Sequence, residues 1–130
     1  MDAAAGPAMA VAALLDAHFR GRVGAGSVDA VAEAAGLVNC SLVGMAAHPG
    51  LPLPAAWLRP ALWVVDIVYF PLETELLAAA RALGCRTLDG GQMALFQAVG
   101  AFRLFTGLEP DPERILRYFS AMVSPPPPPD

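Results

Sequence analysis

Three short apolar runs, each closing on a polar residue, constrain this chain more than anything else in it: LVN ends at Asn39, LWVVD at Asp66 and RTLD at Asp89. Continuous apolar stretches of this kind suit parallel strands covered on both faces. Between the second and third runs lies TELLAAARALG, a helical segment with Thr74 as N-cap and Gly84 as its stop. The connection between the first two, VGMAAHPGLPLPAAWLRPA, is proline-rich and predicts loop plus a turn of helix. Strand-like runs alternating with helical ones are the pattern of α/β folds.

The flanks read as helices. AMAVAALLDAHF, residues 8–19, puts Met9, Ala12, Ala13, Leu15 and Phe19 on one face. RVGA at 22–25 is a short strand candidate, and Ser27 is placed to cap a helix through VDAVAEAA, with Asp29 near the positive end of its dipole and Gly36 ending it. GQMALFQAVGAFRLF, residues 91–105, is a helix stopped by Gly107. DPERILRYFSAM follows, with Asp111 as N-cap and Pro112 at the first helical position. SPPPPPD cannot join a helix or sheet interior and reads as a disordered or polyproline II tail. The expected division is 1–107, 108–122 for the last helix and 123–130 for the tail.

Composition narrows the function classes. Hydrophobic residues make up 56% of the 130 and charged ones 15%, against roughly 25% charged in average soluble domains. Such a chain is either Ala-rich and bland or normally packs against something else. A net charge of −4 argues against nucleic acid, which is held by clustered cations. All eight basic residues are arginines, so no lysine of this chain can act as base or phosphate clamp. Cys40, Cys85, His18 and His48 lack the close spacing of common metal sites, so no metal is expected. Both cysteines read as buried free thiols, and a chain without a disulfide framework suits a reducing cytoplasm. Asp2 replaces the basic flank of a secretory signal. The uncharged run from Gly36 to Leu58 is broken by Pro49, Pro52 and Pro54, which rejects a membrane span.

In an open parallel sheet, ligands bind outside the carboxyl ends of the strands. Asn39, Asp66 and Asp89 would all lie along that edge, free to accept backbone N–H bonds or a ligand hydroxyl, or else to cap the turns that follow.

At these residues the sequence resembles the C-terminal part of shikimate and quinate dehydrogenases. The family pattern runs N-A-T-P-x-G-M, then D-x-x-Y-x-P-x-x-T, then D-G-x-G-M-x-x-x-Q. It is matched in order by NCSLVGM from Asn39, DIVYFPLET from Asp66 and DGGQMALFQ from Asp89. The resemblance implies an incomplete Rossmann-like sheet of about three to four parallel strands with C-terminal helices, and NAD or NADP as cofactor. It implies dinucleotide contacts at Asn39 and Ser41, Ile67 beside the nicotinamide ring, and Gly90 and Met93 lining its pocket. It also places Tyr69 at the carboxylate side of a shikimate-like or quinate-like hydroxy acid, and Gln97 on a substrate hydroxyl. An amide donates and accepts at once, which fits an alcohol that becomes a ketone.

Departures from the pattern are local. Cys40, Ser41 and Leu42 stand where Ala, Thr and Pro are usual, so the hydroxyl is kept but a rigid turn residue is lost. Gln92 replaces the family's second glycine. The family also carries an N-terminal substrate domain with a catalytic lysine and aspartate and a glycine-rich pyrophosphate turn, neither of which is found in these 130 residues. In GAGSVD, Gly24 and Gly26 fit half of GxGxxG, but Asp29 takes the third glycine's place and would repel a phosphate. The resemblance matches Asp2 to the family's acidic residue after the second strand that binds an adenine ribose. The expectation is a dehydrogenase fragment inactive alone, its GLVNC strand leaving an open edge that favours self-association or a complementing N-terminal polypeptide. The alternatives are a non-catalytic interaction module and a gene remnant.

Overall fold

The computed structural model describes residues 5–123. Asp2 and the SPPPPPD tail lie outside the described residues. The chain divides into two compact units, one ending at Ala30 and the other beginning at Val31.

In the first unit, α1 (Ala5–Phe19) starts earlier than its predicted 8–19 span, since Gly6 and Pro7 fall in the first turn, where a missing N–H costs nothing. Arg20 (φ 49°) and Gly21 (φ 77°) turn the chain out of it. Met9, Leu15 and Phe19 stay 61%, 41% and 51% exposed, so the expected apolar face is not covered. The RVGA segment is not a strand. It is irregular, bound through the Val23 amide to Asp16 Oδ1 at 3.0 Å.

The helix expected after Ser27 is replaced by a five-residue 3-10 helix, Val28–Ala32. The Ser27 hydroxyl is turned to the Asp29 carboxylate. Arg59 explains the early end: its guanidinium donates to the carbonyls of Val31 (2.9 Å) and Ala34, acceptors a longer helix would need. Gly36, predicted as a helix stop, instead opens the first strand, lying so close under the Trp63 indole that no Cβ would fit.

The second unit is built on a parallel sheet ordered β1 (Gly36–Asn39), β2 (Trp63–Asp66), β3 (Arg86–Leu88). Gly36 pairs with Trp63 and Trp63 with Arg86, so Asn39 aligns with Asp66. The β1–β2 connection is loop with a single 3-10 turn, Ala55–Trp57, as the prolines predict. α2 (Glu75–Ala82) crosses from β2 to β3. Thr74 Oγ1 accepts from the Leu77 amide at the N-cap, and Gly84 (φ 80°) ends the segment.

The core sits between one sheet face and α2: Leu62, Val64, Leu76, Leu77 and Ala80 are all at most 1% exposed, with Leu53, Leu58 and Cys85 around them. Each such leucine contributes about 1.5–3 kcal/mol relative to exposure. The opposite face differs from the two-sided burial that the apolar runs predict. There Val38, Val65 and Leu88 line up in register, with Val38 47% and Leu88 46% exposed. Cys40 also departs from expectation: it is exposed, because the chain leaves the sheet at that residue, whereas Cys85 is buried with its thiol on the Arg59 carbonyl.

α3 (Gly90–Thr106) is capped by Asp89, whose Oδ1 accepts from the Gly91 amide at 3.0 Å, and stops at Gly107 (φ 69°). α4 (Pro112–Val123) begins on Asp111, which accepts from the amides of Glu113 and Arg114. No helix among the described residues is long and apolar enough to cross a membrane.

Candidate functional site

The carboxyl ends of β1 and β2 meet in a buried polar cluster. Asp66 is wholly buried and its carboxylate accepts three hydrogen bonds: from Asn39 Nδ2 (3.0 Å) and the Val68 amide (3.0 Å) at Oδ1, and from the Thr74 hydroxyl (2.8 Å) at Oδ2. A buried carboxylate is tolerable only when paired with donors in this way. Of the roles open to Asp66 in sequence, backbone and side-chain acceptance is the one realised, with no surface left for a ligand hydroxyl. Asp89 caps α3, with Arg81 3.9 Å from its other oxygen.

Asn39 is equally occupied. It donates to Asp66 and to the Val43 carbonyl (3.0 Å), and its oxygen accepts from the Ser41 amide (3.1 Å) and hydroxyl (2.7 Å). The Asn39 side chain therefore shapes the following loop, and Ser41 is the exposed member of the pair. Ser41 Oγ also accepts from the Val43 amide, so an Asx turn and a serine turn replace the rigidity that Leu42, 63% exposed, does not supply. Gly44 backs onto the cluster at φ 107°.

Ile67 is half-buried, and its amide continues the ladder onto the Asn39 carbonyl at 3.1 Å. Beside it sits Gly90. A Cβ built there would fall 2.5 Å from the Ile67 carbonyl oxygen and 2.6 Å from that of Val68. Only glycine lets the first turn of α3 approach so closely. Met93 and Gln97 follow Gly90 at helical positions i+3 and i+7 and so share its face. Met93 is 39% exposed and Gln97 exposed. Tyr69, two residues beyond Ile67, is 52% exposed, just before a cis Phe70–Pro71 bond. Gln92 is exposed on a helical backbone and needs no positive φ. The close packing falls instead on Gly91, against Leu72, Asp89 and Phe119.

Asn39, Ser41, Ile67 and Gly90 thus form a continuous row along the strand ends, with Met93 and Gln97 on the adjoining helix face. Two surface hollows lie elsewhere: one of 210 Å³ over β2 and β3, one of 370 Å³ beside Arg114 and Arg117 of α4. Sequence reasoning recognised Thr74 as a cap but missed it as the partner of Asp66; the spacing of the two ends of D-x-x-Y-x-P-x-x-T was the signal. Gly24 and Gly26 lie in irregular chain with nothing near them to mark a phosphate turn. No group of three potential metal ligands occurs among the described residues.

No family model matches the chain. Individual proteins do. It is 58% identical over 121 residues to a shikimate dehydrogenase (NADP(+)) of Streptomyces avermitilis, a match covering 89% of this chain and 42% of that one. It is 57% identical over 97 residues to a quinate/shikimate dehydrogenase (NAD(+)) of Corynebacterium efficiens, covering 75% and 34%. Among solved structures, quinate dehydrogenase from Corynebacterium glutamicum in complex with NAD superposes with a TM-score of 0.81 at 46% identity, over 91% of this chain and 44% of that one. Shikimate 5-dehydrogenase from Thermus thermophilus, in complex with NADP(H) and shikimate, gives 0.72 at 35% identity, over 87% and 42%.

The fold is a Rossmann-like α/β sheet, as in these dehydrogenase neighbours. The chain belongs to the shikimate/quinate dehydrogenase family, and it spans less than half the length of the relatives it matches.

Proposed function

We propose that this chain supplies the nicotinamide and hydroxy-acid contacts of an NAD- or NADP-dependent oxidoreductase that exchanges hydride with a shikimate-like or quinate-like cyclic alcohol. The observation that carries this reading is the seating of Gly90 against the Ile67 carbonyl, which brings the face of α3 bearing Met93 and Gln97 to the end of β2. The fit to the cofactor rests on chemistry: half-buried Ile67 and part-exposed Met93 offer an apolar ledge suited to a flat ring. When bound, the nicotinamide supplies the hydride-exchange chemistry. Ile67, Met93 and the Gly90 backbone hold and orient the ring, and the Ser41 hydroxyl faces the dinucleotide. Tyr69 and Gln97 hydrogen-bond the acid and its alcohol. Of the solved structures named above, one is a complex with NAD and the other a complex with NADP(H) and shikimate.

Proton transfer in this reading comes from elsewhere. The sequence holds no lysine, and the side chains assigned here bind rather than exchange protons, so the 130 residues alone do not turn over. Titration calorimetry with NAD and NADP tests the binding half, with millimolar affinity expected. Absence of any heat or shift at saturating cofactor would refute it. Shikimate oxidation by the purified chain would refute the second half. A cytoplasmic setting fits the exposed thiol of Cys40.

The in-register row Val38–Val65–Leu88, half-buried at Val65 and exposed at its two ends, favours a second reading, in which the chain needs a partner polypeptide to complete its fold. Parallel sheets are ordinarily covered on both faces. Co-purification of a separately encoded polypeptide that lowers exposure of this row would support it.

A further inference from the structure

We infer that Asp66 is a positioning residue that fixes the spacing between the two walls of the strand-end site, the loop after β1 and the segment after β2. The inference rests on the proposed function only for what those walls hold; the coupling itself is geometric.

The carboxylate reaches each wall by a separate arm. Through Asn39 it reaches the first: the same amide nitrogen that donates to Asp66 donates to the Val43 carbonyl, and the amide oxygen holds Ser41 by both its N–H and its hydroxyl. Through the Val68 amide it reaches the second, between Ile67 and Tyr69. The third arm, to Thr74, anchors both to the rigid N-terminus of α2, because the Thr74 oxygen that donates to Asp66 also caps the Leu77 amide. Every buried side-chain polar atom among the described residues has a partner. Asp66 Oδ1 takes a donor from each wall, Asn39 Nδ2 and the Val68 amide, so losing that acceptor strips a partner from both walls at once. Ser41 and Tyr69 are exposed, and besides the Asp66 arms the walls are joined by the backbone bond from Ile67 to Asn39 and by the contact of Gly44 with Thr74, so packing holds the outer part of each wall only weakly.

Amide hydrogen exchange on the ligand-free full chain decides this. In Asp66→Leu, the Ser41, Val43 and Val68 amides are expected to exchange about tenfold faster or more, together, while Leu95 in α3 keeps its protection. Asp66→Asn retains an acceptor for Asn39 and Val68 and is expected to stay within about threefold of wild type. Asn39→Ala guards against a leucine variant that fails to fold: it cuts only the first arm, yet Val68 should still accelerate about tenfold. An unchanged Val68 amide in Asn39→Ala, or equal effects of the asparagine and leucine variants on folded protein, overturns the inference. NAD is then added to wild type. Resonance shifts at Ser41 and Ile67 that weaken tenfold in Asn39→Ala show that the spacing serves the cofactor. No shift in wild type refutes the cofactor reading, while the exchange data still judge the coupling.

Discussion

Gly90 and Ile67 are packed backbone to backbone: a methyl group on residue 90 would lie 2.5 Å from the Ile67 carbonyl oxygen. Gly90→Ala is therefore expected to push α3 away from β2 and cost about 1–3 kcal/mol. Denaturant unfolding followed by circular dichroism measures the loss, and NAD affinity should fall with it.

Gly100 provides the opposite case. It lies in the interior of α3 with nothing within 4 Å of a built Cβ. Gly100→Ala is expected to stabilise the chain by about 0.5–1 kcal/mol, because alanine loses less backbone freedom than glycine on entering a helix. A lowered unfolding midpoint in the same assay would contradict this account of the helix.

Thr74 serves two partners through one oxygen, the Asp66 carboxylate and the Leu77 amide. Thr74→Val keeps the shape and removes both bonds, for an expected cost of about 2–4 kcal/mol. Thr74→Ser should recover most of it. Equal stabilities for the two variants would show that the hydroxyl contributes nothing.

The exposed sheet face makes a solution prediction. Val38→Lys places a charge at the β1 end of the Val38–Val65–Leu88 row without touching the core, and is expected to reduce self-association seen by light scattering while leaving the unfolding free energy within about 0.5 kcal/mol. A wild-type chain that stays monomeric at high concentration would remove the basis for it.

At the end of α3 the hydrogen bond from Arg103 holds the Glu109 carboxyl below its usual range, and the same bond raises Arg103. A carboxylate depressed in the folded state stabilises above its unfolded value of about 4.3 and loses that contribution as pH falls through the folded value. Both groups are exposed, so the effect is small and local. Carbon-detected titration should show Glu109 protonating at higher pH in Arg103→Gln than in wild type.

How much of this was legible in the sequence depends on whether a residue's partner is close along the chain. Thr74, Asp89, Asp111, Gly84 and Gly107 act on neighbours within a turn, and each stands where its type predicts. The three strands were readable because apolar runs ending on polar residues mark where parallel strands leave a sheet. Failures came where distant residues decide. Arg59 shortens the helix after Ser27 from 28 residues away, and Trp63 turns Gly36 from a helix stop into the start of a strand. RVGA has strand composition, yet no strand pairs with it among the described residues. At the site, Asn39 looked like a ligand contact because its type and place fit one. What sequence leaves open there is the hydrogen bonding, in which the Asn39 amide is engaged on both sides; the expected dinucleotide contact at Asn39 stands as a proposal.

The guanidinium of Arg59 on the Val31 and Ala34 carbonyls has a kinetic consequence. The entry to β1 is held by a group that arrives 28 residues later, so that strand cannot be secured until a long loop has closed, with the entropic penalty such closure carries. β2, α2 and β3 follow one another directly and meet through near-neighbour contacts. The folding nucleus is expected there, with substitutions at Leu76 slowing folding and substitutions at Arg59 chiefly hastening unfolding.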